Sequence, residues 1–333
     1  MSANIQSMAY VKADGKPWHG LGVAVDGAMT AEEALVKAGL NWTVEKKPLY
    51  HEVMTKEGMK FEPVTGSFCI TRTDNNKVLG RAVGSVYTPL QNRNGLNFLD
   101  GVIKEKMAVY HTAGSLGQGE RVWILAKLPG HIKVAGNDLI EKFLLLTNSH
   151  DGSSPVIMQV TPVRVVCQNT LNAALSGSEK QFRGKHTISL MGKMDEARHQ
   201  LQIVNTWYEQ FEASCQQLVS VKVNGQQVSK FLDNLGFEIT QNVKADDDSQ
   251  SRVKGIRETI THLFESGRGN RTPEVRGTAW ALYNGVTEWT DHERSTKITN
   301  GYQTKDEARL ASQWFGSGQQ MKTKALELAL AIN

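Results

Sequence analysis

Apolar and polar residues alternate along the first half of the chain and recur at helical spacing along the second. A short helix comes first. Thr30 and Glu33 form a capping pair, Ala31 to Ala38 are good helix formers, and Gly39 supplies the stop. Strands follow at 42–54, 60–72 and 78–87, the last two joined at Asp74-Asn75-Asn76, residues that accept positive φ. Leu96, Leu99 and Ile103 then fall at helical spacing within 92–106. A second hairpin, 107–115 with 120–128, turns at Gly114 to Gly119. Strands at 140–148 and 156–167 flank His150-Asp151-Gly152-Ser153-Ser154-Pro155, and a helix is expected from Asn169 to Leu175. The pattern predicts an α+β fold, an antiparallel β-meander with packed helices in β-β-β-α order.

From residue 191 on, helical periodicity takes over. Met194, Ala197, Leu201, Val204, Tyr208, Phe211, Cys215 and Leu218 are spaced alternately three and four apart, a heptad seam along roughly 37 Å of helix. Such a seam packs either inside one subunit, as a helical hairpin, or between subunits. Asp246-Asp247-Asp248-Ser249 reads as a solvated linker. Thr272-Pro273 reads as the start of a helix with proline in first position, and Thr304 with Glu307 as another capping pair. A last helix places Met321, Ala325, Leu328 and Ile332 on one face. The chain thus divides into an α+β core domain (1–190), a long helix with a helical connection (191–245) and a helical C-terminal region (246–333).

Composition narrows the function classes. The 333 residues carry 38 Lys+Arg against 34 Asp+Glu, and the balance is nearly even in both halves. A net charge of +4 permits a nucleic-acid partner without requiring one. Any basic surface must therefore be assembled by folding. No run of ~18 apolar residues suggests a membrane span, and no secretory signal is expected. The three cysteines, Cys69, Cys167 and Cys215, are odd in number and far apart, which fits a reducing compartment.

Candidate chemistry is sparse. His150-Asp151 with Cys167 has the equipment of a nucleophile, and equally reads as a turn beside a small buried cysteine. No metal-ligand spacing occurs, and Gly114 to Arg121 lacks the Gly-Lys-Ser/Thr end of a phosphate loop, so no cofactor is expected. Binding fits better. Arg121, Trp123, Leu125 and Lys127 share one face of a strand, which suits phosphates and a stacked base if that face is open; Val122, Ile124 and Ala126 occupy the other. Arg164 poses the same question in its own strand. Arg183 and Lys185 lie in a short polar stretch, and Arg268 and Arg271 in a glycine-containing loop.

Several segments together carry a resemblance. They are Trp18-His19-Gly20-Leu21-Gly22, Tyr87 to Asp100, Ala113 to Leu116 with Arg121-Val122-Trp123, Asn148 to Ser153, Thr161 to Leu171, and Gly277 to Trp289. Across nearly the whole chain the sequence resembles the phage/plasmid-like family of bacteriophages, plasmids and prophages. That resemblance implies a cytoplasmic protein of a bacterial host and brings no catalytic residues with it. In its order of elements the chain is also similar to the single-strand annealing proteins of the recombination-mediator superfamily, which assemble into rings around a basic groove.

The expectation is a non-catalytic protein that binds and anneals single-stranded DNA as a homo-oligomer, with phage or host recombination or replication proteins as possible further partners. Arg121, Lys127, Arg164, Arg183, Lys185, Arg268 and Arg271 would contact phosphates and Trp123 a base. The alternative is a protein-binding module, such as an inhibitor of host defence. A third reading is a hydrolase built on His150, Asp151 and Cys167.

Overall fold

A computed structural model describes residues 7–11, 23–25, 29–104, 108–136, 138–164, 169–170, 181–199, 202–239, 247–298, 305, 308–309, 312–313 and 316–332. Two sheets organise the N-terminal part. The larger has eight strands in the order β10-β9-β8-β7-β6-β1-β2, with β11 also on β9. Its members are β1 (Ser7–Val11), β2 (Val23–Val25), β6 (Val109–Leu116), β7 (Arg121–Ala135), β8 (Asp138–Ser149), β9 (Val156–Arg164), β10 (Asn169–Thr170) and β11 (Gln181–Gly184). The smaller is a three-stranded meander of β3 (Val44–Thr55), β4 (Gly58–Arg72) and β5 (Val78–Gly84). Pairing is antiparallel except between β1 and β2. This is the α+β class that the alternation predicts.

The helices are α1 (Ala31–Lys37), α2 (Asn92–Lys104), α3 (Leu190–His199), α4 (Gln202–Ser220), α5 (Gly225–Leu235), α6 (Asp247–Ser266), α7 (Ala279–Glu288) and α8 (Ser317–Leu330), with a π-helical turn at Trp289–Glu293. The capping box at α1 forms, with Thr30 Oγ1 accepting from the Glu33 amide and the Glu33 carboxylate accepting in return. Asn76 takes φ 58° in the β4–β5 turn, as its side chain allows.

The core strands are sealed on both faces. Val122, Ile124 and Ala126 are buried on the side where Gly95 of α2 approaches Ile124 and Leu146. Trp123, Leu125, Phe143 and Leu145 on the other side are equally buried. The helical region packs directly on this sheet. In α4, Gln216 Nε2 donates to the Lys133 and Val134 carbonyls, and Tyr208 Oη bonds both the amide and the carbonyl of Phe143 at 2.8 Å. In α7, Trp280 Nε1 donates to Asp138 Oδ2 at 2.8 Å, with both groups buried.

Three sequence expectations shift. Asp247, Asp248 and Ser249 open α6, where acidic groups suit a helix N-terminus, so the linker ends before them. Residues 272–277 form turns, and α7 begins at Ala279 with Thr278 as its cap. Asn169–Thr170 is a strand, while residues 171–175, 304 and 307 lie outside the described residues. Of the heptad seam, Met194, Tyr208, Phe211, Cys215 and Leu218 are buried within the chain, on two helices; the side chains of Ala197, Leu201 and Val204 lie outside the described residues.

Candidate nucleic-acid interface and the Ser149 to Ser153 loop

The basic strand face is not an open one. Trp123 has no exposure, and its cross-strand neighbours Gly114 and Thr147 are small enough to leave lateral room for the indole. Alternation put Trp123 with Arg121 and Lys127 correctly, but a strand buried on both faces gives the outer-looking face no solvent. Trp123 is therefore a core residue and stacks no base. Lys127 Nζ sits 2.8 Å from Glu141 Oε1, both partly buried, so its charge is already met inside the sheet. Arg121, at the start of β7, is half-buried and directs Nη2 to Ser153 Oγ at 3.3 Å.

The remaining basic candidates stay near the surface but apart. Arg183 on β11 and Lys185 just beyond it are exposed, and neither makes an ion pair with a described residue. Strand alternation turns the Arg183 side chain outward while Phe182 is half-buried and Gly184 buried. β11 pairs with β9 along the edge opposite β8, and β10 continues the same edge to Arg164, which stands opposite Asn169. The Arg164 side chain lies outside the described residues. Arg268 and Arg271 are exposed in the α6–α7 loop. The Arg268 amide donates to Glu288 Oε2 at 3.0 Å, its Nε lies 3.8 Å from Glu288 Oε1, and Arg271 Nε donates to the Ser266 carbonyl. That loop reaches the far end of β7, where Glu274 abuts Gly136. Arg121 and the Arg268 loop thus lie toward opposite ends of β7, whose bulged fifteen residues span the twelve of β8, roughly 36 Å.

The segment after β8 draws together more polar groups than the sequence suggests. Asp151 Oδ1 accepts from the Ser149 hydroxyl, from the Ser153 amide at 2.9 Å and from the Ser153 hydroxyl at 2.5 Å. Burial alone would raise its pKa, but these donors, with the Arg121 charge nearby, hold the carboxyl below its ordinary value. Gly80 of β5, at φ 71°, passes so close that an added Cβ would stand 2.1 Å from Asp151 Cβ.

His150 is fully buried, with its amide bonded to the Glu120 carbonyl at 2.7 Å and its ring edge-on to Trp42. Asn92, the first residue of α2, donates through Nδ2 to the Leu40 carbonyl at 3.0 Å and faces Trp42 O at 3.4 Å. That fixes its Oδ1 as acceptor, so His150 Nε2 carries the proton and donates to it at 2.9 Å. Nδ1 then holds a lone pair with no hydrogen-bond partner. Burial, with repulsion from His186 and Arg72, pushes the imidazole pKa down to about 3, against the opposing pull of Asp151. His186 is likewise lowered by burial, opposed by the Ser154 and Thr88 carbonyls, although no ring nitrogen meets hydrogen-bond geometry with them. Its ring stacks on Tyr87 at 4.7 Å, whose hydroxyl donates to the Ser149 carbonyl.

Arg72 completes the enclosure. Its guanidinium holds Asp74 with two bonds, donates to the Gln118 carbonyl at 2.6 Å and lies 4.3 Å from the Trp42 ring centre. Chemically, the arrangement is a neutral imidazole turned toward Asn92 and Trp42 and a carboxylate whose Oδ1 is held by two serines. Among the described residues, His150 faces no hydroxyl that it could deprotonate. Cys167, the proposed third member, lies outside the described residues. Sequence reasoning found His150, Asp151 and Arg121 but missed Trp42, Arg72, Tyr87, Asn92 and His186, which come from four separate stretches of chain and share no spacing.

Among the described residues no cluster of His, Cys, Asp or Glu could hold a metal ion, and no helix is long and apolar enough to cross a membrane. Comparison with curated proteins and with solved structures gives no match. Residues 80–314, from β5 to beyond the π-helical turn, match the family model described as "Domain of unknown function (DUF932)". That span holds the Ser149 to Ser153 loop, the Arg183 edge and the buried α7. Since it covers well over half of the chain, the protein belongs to the DUF932 family.

Proposed function

We propose that the protein binds single-stranded DNA without catalysing a reaction, as an assembly of several copies, in recombination or replication on a phage or plasmid. The observation that carries this reading is the outward pair Arg183 and Lys185 on the outer edge of the large sheet, exposed and without an ion pair among the described residues. Two residues of extended chain separate them by ~7 Å, a spacing on the scale of successive phosphates along a strand. With Trp123 in the core, the contact is to the backbone and not to bases. Such binding ignores sequence and weakens as salt rises. Two phosphate contacts per copy bind weakly, and an assembly multiplies them by holding many along one strand. Annealing requires nothing more reactive: charge is neutralised and the bases remain free to pair. The phage/plasmid-like motifs and the β-β-β-α order supply the setting.

The test is fluorescence anisotropy of a labelled single-stranded oligonucleotide across a salt series. Binding at micromolar protein is expected, with log affinity falling linearly against log salt. Arg183→Ala with Lys185→Ala should flatten that slope by ~1.4, two contacts at ~0.7 each. Absence of salt-sensitive binding, or a double variant indistinguishable from the parent, would sink the reading.

A further inference from the structure

Among the described residues, the β3–β4 hairpin is fastened to the body at its base. There Val44 and Ile70 are buried, and Lys46 Nζ donates to the Ser85 and Tyr87 carbonyls. β5 pairs with β4 only over Ser67–Thr71, so the hairpin continues outward as a two-stranded ribbon. Its register sets Tyr50 opposite Pro63, Glu52 opposite Phe61 and Met54 opposite Met59. Directly opposed residues share a face, so five apolar side chains and one glutamate line one side of the ribbon. His51, Glu62, Val53 and Lys60 take the other side. Tyr50 is 57% exposed, Met54 81%, Met59 55% and Phe61 60%. Isolated exposed apolar residues are ordinary, but a contiguous face of this kind on a protruding ribbon marks an interaction surface.

We infer that this face binds the same face of a second copy of the chain. Three features select that occupant. First, residues 44–66 carry four lysines and four glutamates, so the ribbon has no net charge to attract nucleic acid or to favour a partner of either sign. Each copy instead brings both signs to the other's rim. Second, the face is matched to itself. A two-fold axis parallel to the strands sets Met54 over Met59, Tyr50 over Pro63 and Glu52 over Phe61 of the second copy, so apolar groups meet and no two glutamates do. Third, Tyr50, Met54, Met59 and Phe61 together expose on the order of 500 Å² per copy, so two copies bury up to roughly 1,000 Å², the area at which specific interfaces begin. The ribbon precedes the matched family span, which starts at residue 80. The inference rests on the proposed assembly and names its dimeric unit.

Light scattering on the full chain without DNA tests it. At about 10 µM the wild type is expected at twice the chain mass, and Tyr50→Ser with Phe61→Ser at one chain mass, an affinity loss of about 100-fold or more. Circular dichroism and melting should be unchanged, since both sites are exposed. If that pair unfolds, Met54→Glu, at the most exposed position, repeats the measurement. A wild type that stays monomeric at about 100 µM, or ribbon variants that self-associate undiminished, overturns the inference. So does a monomeric wild type whose ribbon binds a different protein. Because no DNA is present, failure here is separable from failure of DNA binding at Arg183 and Lys185.

Discussion

Lys322 Nζ lies 2.9 Å from Asp291 Oδ1, and the two side chains are essentially sealed from solvent at 0% and 3% exposure. The pair ties α8 to the π-helical turn that follows α7, and Gln313 Nε2 adds a bond to the Asp291 carbonyl. Burial lowers the lysine pKa and Asp291 opposes the shift. Removing one charge strands the other in a dry site, whereas removing both need not. Lys322→Met alone should cost about 3–5 kcal/mol in urea unfolding. Lys322→Met with Asp291→Leu should recover most of that loss, and a double variant no better than the single would contradict a desolvated pair.

Trp123 separates packing from DNA contact. Trp123→Ala should destabilise the fold by about 3–5 kcal/mol through the cavity it leaves. Trp123→Phe keeps most of the volume and should fold, with an affinity for single-stranded DNA equal to the wild type. A selective loss of DNA binding in a stably folded Trp123→Phe would return the indole to the interface.

His150 sets an acid limit. Its folded pKa, about 3, lies below the ordinary value of 6.5, so as pH falls below about 6.5 the unfolded chain takes a proton that the folded one refuses. The stability that this ring contributes is full above pH 6.5 and is lost as pH falls toward 3, at up to about 1.4 kcal/mol per pH unit. His186, lowered in the same direction, adds to the slope. Unfolding free energies between pH 7.5 and 5 should therefore fall in the wild type. They should fall less steeply in His150→Gln, even though that variant starts lower. Parallel curves would mean that His150 does not carry the effect.

Gly80 has no substitute at its position. An alanine there would combine φ 71° with a Cβ driven onto the Asp151 backbone and side chain. Gly80→Ala should cost about 2 kcal/mol or more and raise amide exchange in 149–153. Gly84→Ala, where no atom lies within 4 Å of the added carbon, is the control and should be close to neutral.

The strand meanders and the first two helices were legible in the sequence because alternation and helical spacing are local. The capping pair at Thr30 and the Asn76 turn were legible for the same reason. Which face of β7 is buried was not, because that depends on what packs over it. A strand reading Arg-Val-Trp-Ile-Leu-Ala-Lys fits either a one-sided or a fully buried sheet. The polar enclosure around His150 was half legible: the loop was visible, but Asn92, Arg72 and Trp42 reach it through tertiary contacts across about 60 to 110 residues. Lys322 shows the same limit in reverse, since helical spacing chose Met321 for the inner face while the partner at Asp291 drew the lysine in. The apolar ribbon passed for ordinary meander strands, because a strand's own pattern does not record where its neighbour β5 stops.

β4 runs as one strand from Gly58 at the tip of the ribbon to Arg72 at its root. Its pairing with β3 jumps from Pro48–Phe68 to Tyr50–Pro63, and Gly66 takes φ 73° inside that bulge. The bulge is a joint between the apolar arm and the root where Arg72 stacks on Trp42, so the ribbon can change its angle without disturbing the enclosure around His150.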